Sequence, residues 1–106
     1  MGTEDVLAQL RKFVADRDWT QFHTPANLAK SVSIEAAELL ECFQWQDEAN
    51  IDEVAMELAD VLTYCYLLAD LLGLEPSQLI LEKLEKTREK YPEEKSRGRS
   101  EKYDRL

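Results

Sequence analysis

Between Val54 and Leu72 the apolar residues Val54, Leu58, Val61, Leu62, Cys65, Leu68 and Leu72 recur three and four positions apart. That is the spacing of one face of an α-helix. Leu28, Val32, Ala36, Leu39, Leu40 and Phe43 repeat the pattern upstream. Gly and Pro number only three each, far fewer than turn-rich β proteins carry. The chain therefore reads as all-α. Its 106 residues, 44% of them apolar, suffice for one domain with a core.

Punctuation along the sequence predicts four helices. The first runs from about Thr3, read as its N-cap, to Asp16, with Val6, Leu7, Leu10, Phe13 and Val14 at helical spacing. Asp16 to His23 has no clear period and reads as a loop. Thr24-Pro25 then has the form of an N-cap followed by proline at the first helical position, and this second helix extends to near Trp45. After a polar break at 46–50, Asn50 and Glu53 resemble a capping box opening the third helix, which Gly73 stops. Pro76 restarts a fourth helix to about Lys90, and Tyr91-Pro92 breaks it. The division expected is a helical domain over 1–92 and a basic, loosely held tail over 93–106.

Charge narrows the partners. Lys plus Arg total 13 against 22 Asp plus Glu, a net charge of −9. The excess acid lies before Lys83 and the excess base after it. An acidic body repels a nucleic-acid backbone, so duplex nucleic acid is not expected as a partner. A basic tail on such a body suits a small polyanion accompanied by cations. No apolar run approaches the ~20 residues needed to span a bilayer, and the acidic start Met1-Gly2-Thr3-Glu4-Asp5 lacks the form of a signal peptide. No membrane partner is expected. Cys42 and Cys65 lack CxxC spacing and read as buried reduced thiols, so the expected compartment is the cytoplasm.

Four carboxylates stand where apolar residues belong. At about 100° per residue, Glu38 falls about 60° from Glu35, and both border the stripe of Leu28, Val32 and Leu39. Glu57 and Asp60 stand in the same relation on the third helix, among Val54, Val61, Leu68 and Leu71. Ionised carboxylates in such a setting need a partner. One solution is Lys or Arg from another helix; the other is a divalent cation shared by all four acids. Residues three apart on a helix can converge on one ion, and two such pairs on antiparallel helices supply the hard oxygen donors that Mg²⁺ or Mn²⁺ prefers. The lone histidine, His23, lies outside both helices, which disfavours iron and zinc.

Glu35-x-x-Glu38 and Glu57-x-x-Asp60, separated by 18 residues, resemble the metal-binding signature of the all-α MazG-like nucleoside triphosphate pyrophosphohydrolases. Phe13-Val14-Ala15-x-Arg17-Asp18-Trp19-x-Gln21-Phe22-His23-x-Pro25-x-Asn27-Leu28 resembles the opening of the dCTP pyrophosphatase branch. So do Phe43-Gln44-Trp45, Glu57-Leu58-x-Asp60-Val61-Leu62-x-Tyr64, and the closing Lys83, Arg88, Tyr91-Pro92, Ser96-Arg97-Gly98 and Lys102-Tyr103. The resemblance implies a four-helix bundle completed by dimerisation or tetramerisation. It implies Mg²⁺-dependent cleavage of a (d)NTP, with dCTP or a modified pyrimidine leading, to the monophosphate and pyrophosphate in nucleotide-pool sanitation. By the same resemblance Glu35, Glu38, Glu57 and Asp60 hold the metal, with Mn²⁺ as an alternative ion. Glu35 or Glu38 also handles the attacking water. Trp19, His23 and Trp45 match base-pocket positions, Tyr64 a position near sugar and phosphates, and Lys83, Arg88 and Lys102 phosphate-binding cations of the family. Two positions depart from its pattern. Ile34 stands where many members carry an extra glutamate, and Thr87 where an asparagine is expected.

Other readings stand beside it. One is a non-catalytic helical interaction module, its acids paired to Lys30, Lys83 or Lys86. Another is the same fold acting on a different nucleotide such as dUTP. In the bland reading Trp19 and Trp45 are core or interface aromatics, His23 a hydrogen-bonding residue, and Lys83 a surface ion-pair partner.

Overall fold

The computed structural model describes residues 2–106 and is helical throughout, with no strand among the described residues. The helices are α1 (Thr3–Asp16), α2 (Pro25–Glu41), α3 (Ile51–Leu71), α4 (Pro76–Lys90) and the short α5 (Glu93–Ser96). Single 3-10 turns cover Thr20–Phe22 and Tyr103–Arg105. The chain forms two compact units, one ending at Leu74 and the other spanning Glu75–Leu106.

Local chemistry explains most of the helix ends. Gly2, not Thr3, caps α1: the Asp5 carboxylate reaches back to accept the Gly2 N–H at 3.2 Å, which draws Thr3 into the first turn. Thr24 caps α2 through its hydroxyl, which accepts the Asn27 N–H at 3.1 Å, with Pro25 at the first helical position. α2 stops at Glu41, short of Trp45. Beyond it the N–H groups of Phe43 and Gln44 turn to the carbonyls of Leu40 and Glu41, a tighter i−3 pattern that carries the chain off the helix axis. Asn50 caps α3 by accepting from Asp52 and Glu53 N–H at 2.8 and 3.3 Å; Glu53 makes no return bond among the described residues. Gly73, at φ 73°, supplies the left-handed stop after α3.

In the first unit α2 and α3 form the main packed pair. Leu28, early in α2, packs with Leu67, late in α3. Glu38, late in α2, meets Glu57, early in α3. The two helices are therefore antiparallel. Val14 of α1 completes the buried cluster with Leu28 and Leu67, flanked by Leu10, Tyr64 and Leu68. Leu28 is only 2% exposed, and burial of such a side chain stabilises by about 1.5–3 kcal/mol. Arg11 of α1 ties this unit together, its guanidinium donating to Asp70 of α3 at 2.9 Å and to Glu4 at 2.8 Å.

The core is small for so apolar a chain. Leu40, Ile51 and Met56 are 68%, 75% and 65% exposed, so much of the apolar stripe lies uncovered in the single chain. Cys42 and Cys65 are free thiols but half-buried, not the fully buried ones expected.

In the second unit α4 is capped by the Glu75 carboxylate, which accepts the Gln78 N–H at 2.8 Å. The tail is more ordered than its polar composition suggested. Tyr103 packs edge-on against Tyr91 with ring centroids 6.1 Å apart, and the Lys90 ammonium lies 4.8 Å from the Tyr103 ring.

Candidate metal centre and adjoining cavity

Antiparallel packing of α2 on α3 brings Glu35, Glu38, Glu57 and Asp60 together. One carboxylate oxygen from each lies within 4.8 Å of the other three. Glu35 and Glu57 are half-buried, whereas Glu38 and Asp60 are exposed. Asp60 is thus not enclosed by apolar side chains as its helical angle suggested. The wheel shows its neighbours on α3 but not that this position opens onto a cavity.

The buried oxygens identify what the cluster lacks. Glu35 Oε2 and Glu57 Oε2 are both shielded from solvent and have no hydrogen-bond partner among the described residues. Such atoms cost free energy unless a donor or cation satisfies them. The ion pairs within the first unit do not serve, since Arg11 engages Glu4 and Asp70 while Lys12 engages Asp16.

Electrostatics report the same deficit of positive charge. Glu35 is pushed up to about 7, first by the proton it would share with Glu38, then by desolvation and the negative charges of Glu38, Asp60 and Glu57. Glu57 is also raised, by desolvation first and then by Glu38 and Asp60. A divalent cation fits this site. Four carboxylate oxygens within 4.8 Å of one another are close enough for one such ion to be shared among them.

A cavity of about 310 Å³ adjoins the cluster and shares Asp60 with it. Trp19, His23 and Tyr64 line it, together with Phe13 and Thr63. Phe13 was not singled out as a site residue. Its helical spacing matched the core face of α1, yet it is 46% exposed and meets Trp19 edge-on at 5.7 Å. The signal available was the adjacent Arg17-Asp18-Trp19 segment. Trp45 is 88% exposed in the turn after α2 and does not line this cavity.

Lys83, Arg88 and Lys102 belong to the second unit. There Arg88 pairs with Glu85 at 3.0 Å. Thr87, which replaces the family asparagine, turns its hydroxyl to the Lys83 carbonyl at 3.0 Å. Ile34, in place of the extra glutamate, is exposed beside the cluster in sequence and offers no ligand.

The described residues are helical throughout, and two acidic pairs converge beside an aromatic-lined cavity in a cluster able to hold a metal ion. The comparison with known proteins is more particular: the chain belongs to the MazG-like family, whose model matches residues 30–106. It is 35% identical to dCTP pyrophosphatase 1 of Rattus norvegicus, over 97% of this chain and 66% of that protein. The Homo sapiens protein of the same name is 34% identical over the same shares. The chain thus spans 66% of the length of these curated relatives. A crystal structure of a pyrophosphatase from Archaeoglobus fulgidus superposes with a TM-score of 0.80 at 43% identity, covering 84% of this chain and 91% of that one. No helix among the described residues is long and apolar enough to cross a membrane.

Proposed function

We propose that this protein is a divalent-metal-dependent nucleoside triphosphate pyrophosphohydrolase, with dCTP or a modified pyrimidine deoxynucleotide as its preferred substrate. The observation that carries the reading is the pair of buried, partnerless oxygens, Glu35 Oε2 and Glu57 Oε2, in a four-carboxylate cluster open to an aromatic cavity. The relatives' names support the same reaction and base.

Glu35, Glu38, Glu57 and Asp60 hold the cation, Mg²⁺ or Mn²⁺. The chemistry that such an ion supplies when bound is compensation of phosphate charge and acidification of water. Trp19, His23 and Tyr64 receive the nucleoside, an aromatic ring being suited to stack on a planar base. Glu35, or Glu38 beside it, accepts the proton of the attacking water. The water oxygen bonds to the α-phosphorus, the bond to the α–β bridging oxygen breaks, and pyrophosphate departs, leaving the monophosphate. Lys83, Arg88 and Lys102 are the cations we assign to the phosphate oxygens, and Trp45 to the base. The uncovered apolar residues support a homodimer or homotetramer. We place its work in nucleotide-pool sanitation in a reducing cytoplasm.

The test is a panel of canonical and modified (d)NTPs incubated with the protein and Mg²⁺, with products resolved by anion exchange. Monophosphate plus pyrophosphate, lost on chelation, is the expected result. Diphosphate plus orthophosphate would reject α–β cleavage, and no turnover of any nucleotide would leave a helical interaction module. A monomer at micromolar concentration in a sizing experiment would refute the assembly.

A further inference from the structure

The turn that closes α1 carries a feature the reaction itself does not require. Asp18 has φ 56°, alone among the described non-glycine residues in having a positive value. Its N–H donates to the Ala15 carbonyl and the Trp19 N–H to the Val14 carbonyl, both at 3.0 Å. These two bonds define a Schellman motif, with Asp18 at the left-handed position where glycine is usual. In that motif the following residue packs onto the last helical turn. Here that residue is Trp19, which lies edge-on to Phe13 with centroids 5.7 Å apart, and both rings line the cavity.

Two further side chains hold the arrangement. Gln21 Nε2 donates to the Asp18 carbonyl at 3.0 Å and to its carboxylate at 2.9 Å. Arg17 lies 3.7 Å from the Phe13 ring centroid and donates to the Phe13 carbonyl at 3.0 Å. A turn needed only to end a helix is best served by glycine. Aspartate tolerates the conformation less well than glycine but adds the carboxylate that Gln21 grips. The same 3-10 turn delivers His23, whose N–H donates to the Thr20 carbonyl at 3.1 Å, so the clamp spans two cavity residues.

We propose that Asp18, braced by Gln21 and Arg17, is a positioning residue that fixes the Trp19 ring as a rigid wall of the cavity and thereby sets how tightly the base is held. This rests on the nucleotide reading of the cavity. It separates stability from recognition, because glycine at position 18 relieves the backbone while releasing the wall.

Asp18→Gly, Asp18→Asn and Gln21→Leu test it. Asp18→Gly is expected to keep or raise the thermal midpoint while KM rises about three- to tenfold at unchanged kcat, as for immobilising one more side chain on binding. Gln21→Leu should raise KM likewise. Asp18→Asn, which tolerates the left-handed region and still accepts from Gln21, should retain the native KM. The protein has two tryptophans, so a Trp45→Phe background isolates Trp19 for time-resolved fluorescence anisotropy. Fast local motion of Trp19 should appear with Asp18→Gly and Gln21→Leu but not with Asp18→Asn. Trp19 as rigid in Asp18→Gly and Gln21→Leu as in the background protein overturns the proposal, as does an unchanged KM in both. If no nucleotide is turned over by the native protein, the proposed reaction fails while the anisotropy still decides whether Asp18 holds Trp19.

Discussion

Loading the acid cluster with Mg²⁺ should expel close to one proton at pH 6 and almost none at pH 8. The source is Glu35, held at about 7 by the proton it would share with Glu38, by desolvation, and by the charges of Glu38, Asp60 and Glu57. A cation binds the ionised carboxylate. With a pKa of about 7, roughly nine-tenths of Glu35 is protonated at pH 6 and roughly one-tenth at pH 8. Apparent affinity therefore rises about tenfold over that interval and levels off above it. Glu57, also raised, acts in the same direction.

The metal-free protein carries the complementary signature. Between the ordinary value of 4.5 and about 7, the folded state binds more protons at Glu35 than the unfolded state does. Its contribution to stability is thus present at low pH and lost as pH rises through that window. Isothermal titration calorimetry with Mg²⁺, in buffers of different ionisation heat at pH 6, 7 and 8, counts the protons directly. Glu35→Gln should bind more weakly and release far fewer. Binding that is independent of pH, or that weakens as pH rises, would refute the assignment of the cluster.

Other outcomes follow from the same geometry. The double variant Glu38→Gln with Asp60→Asn should abolish nucleotide turnover, yet leave the metal-free thermal midpoint unchanged or higher because it removes like charges; a clear loss of stability would make the acids structural. Leu28→Ala deletes the most buried large side chain and should cost about 3 kcal/mol, read as a fall of roughly 10–20 °C in Tm. Asp70 is held below its ordinary value of 3.8, chiefly by the hydrogen bonds from Arg11. Its contribution is present above the ordinary value and lost as pH falls through the lower folded one, so Asp70→Asn should flatten the acid limb of stability measured by urea unfolding between about pH 2 and 5.

The four long helices and their order were legible because apolar spacing, Thr24-Pro25, Asn50, Gly73 and Pro76 act locally, each through its own backbone neighbours, whereas the short α5 in the polar tail was not expected. The convergence of Glu35, Glu38, Glu57 and Asp60 was legible for a related reason: a carboxylate beside an apolar stripe on two successive helices is a local violation that repeats. The ends of α1 and α2 were less so. Whether Gly2 or Thr3 caps depends on Asp5 folding back, and whether α2 continues past Glu41 depends on competition between two hydrogen-bond patterns of similar strength.

Local spacing was enough to make this chain helical and to set its acids on two helix faces. It did not determine that Glu35 and Glu57 would each bury one oxygen without a partner while Asp60 faced a cavity, since burial depends on the antiparallel register of α2 on α3. Nor could periodicity distinguish Phe13, left half-exposed on the cavity wall, from Val14, buried in the core one position later. A helix wheel records directions around one axis. Only packing against other helices decides which direction meets solvent, which meets the core, and which meets three other carboxylates.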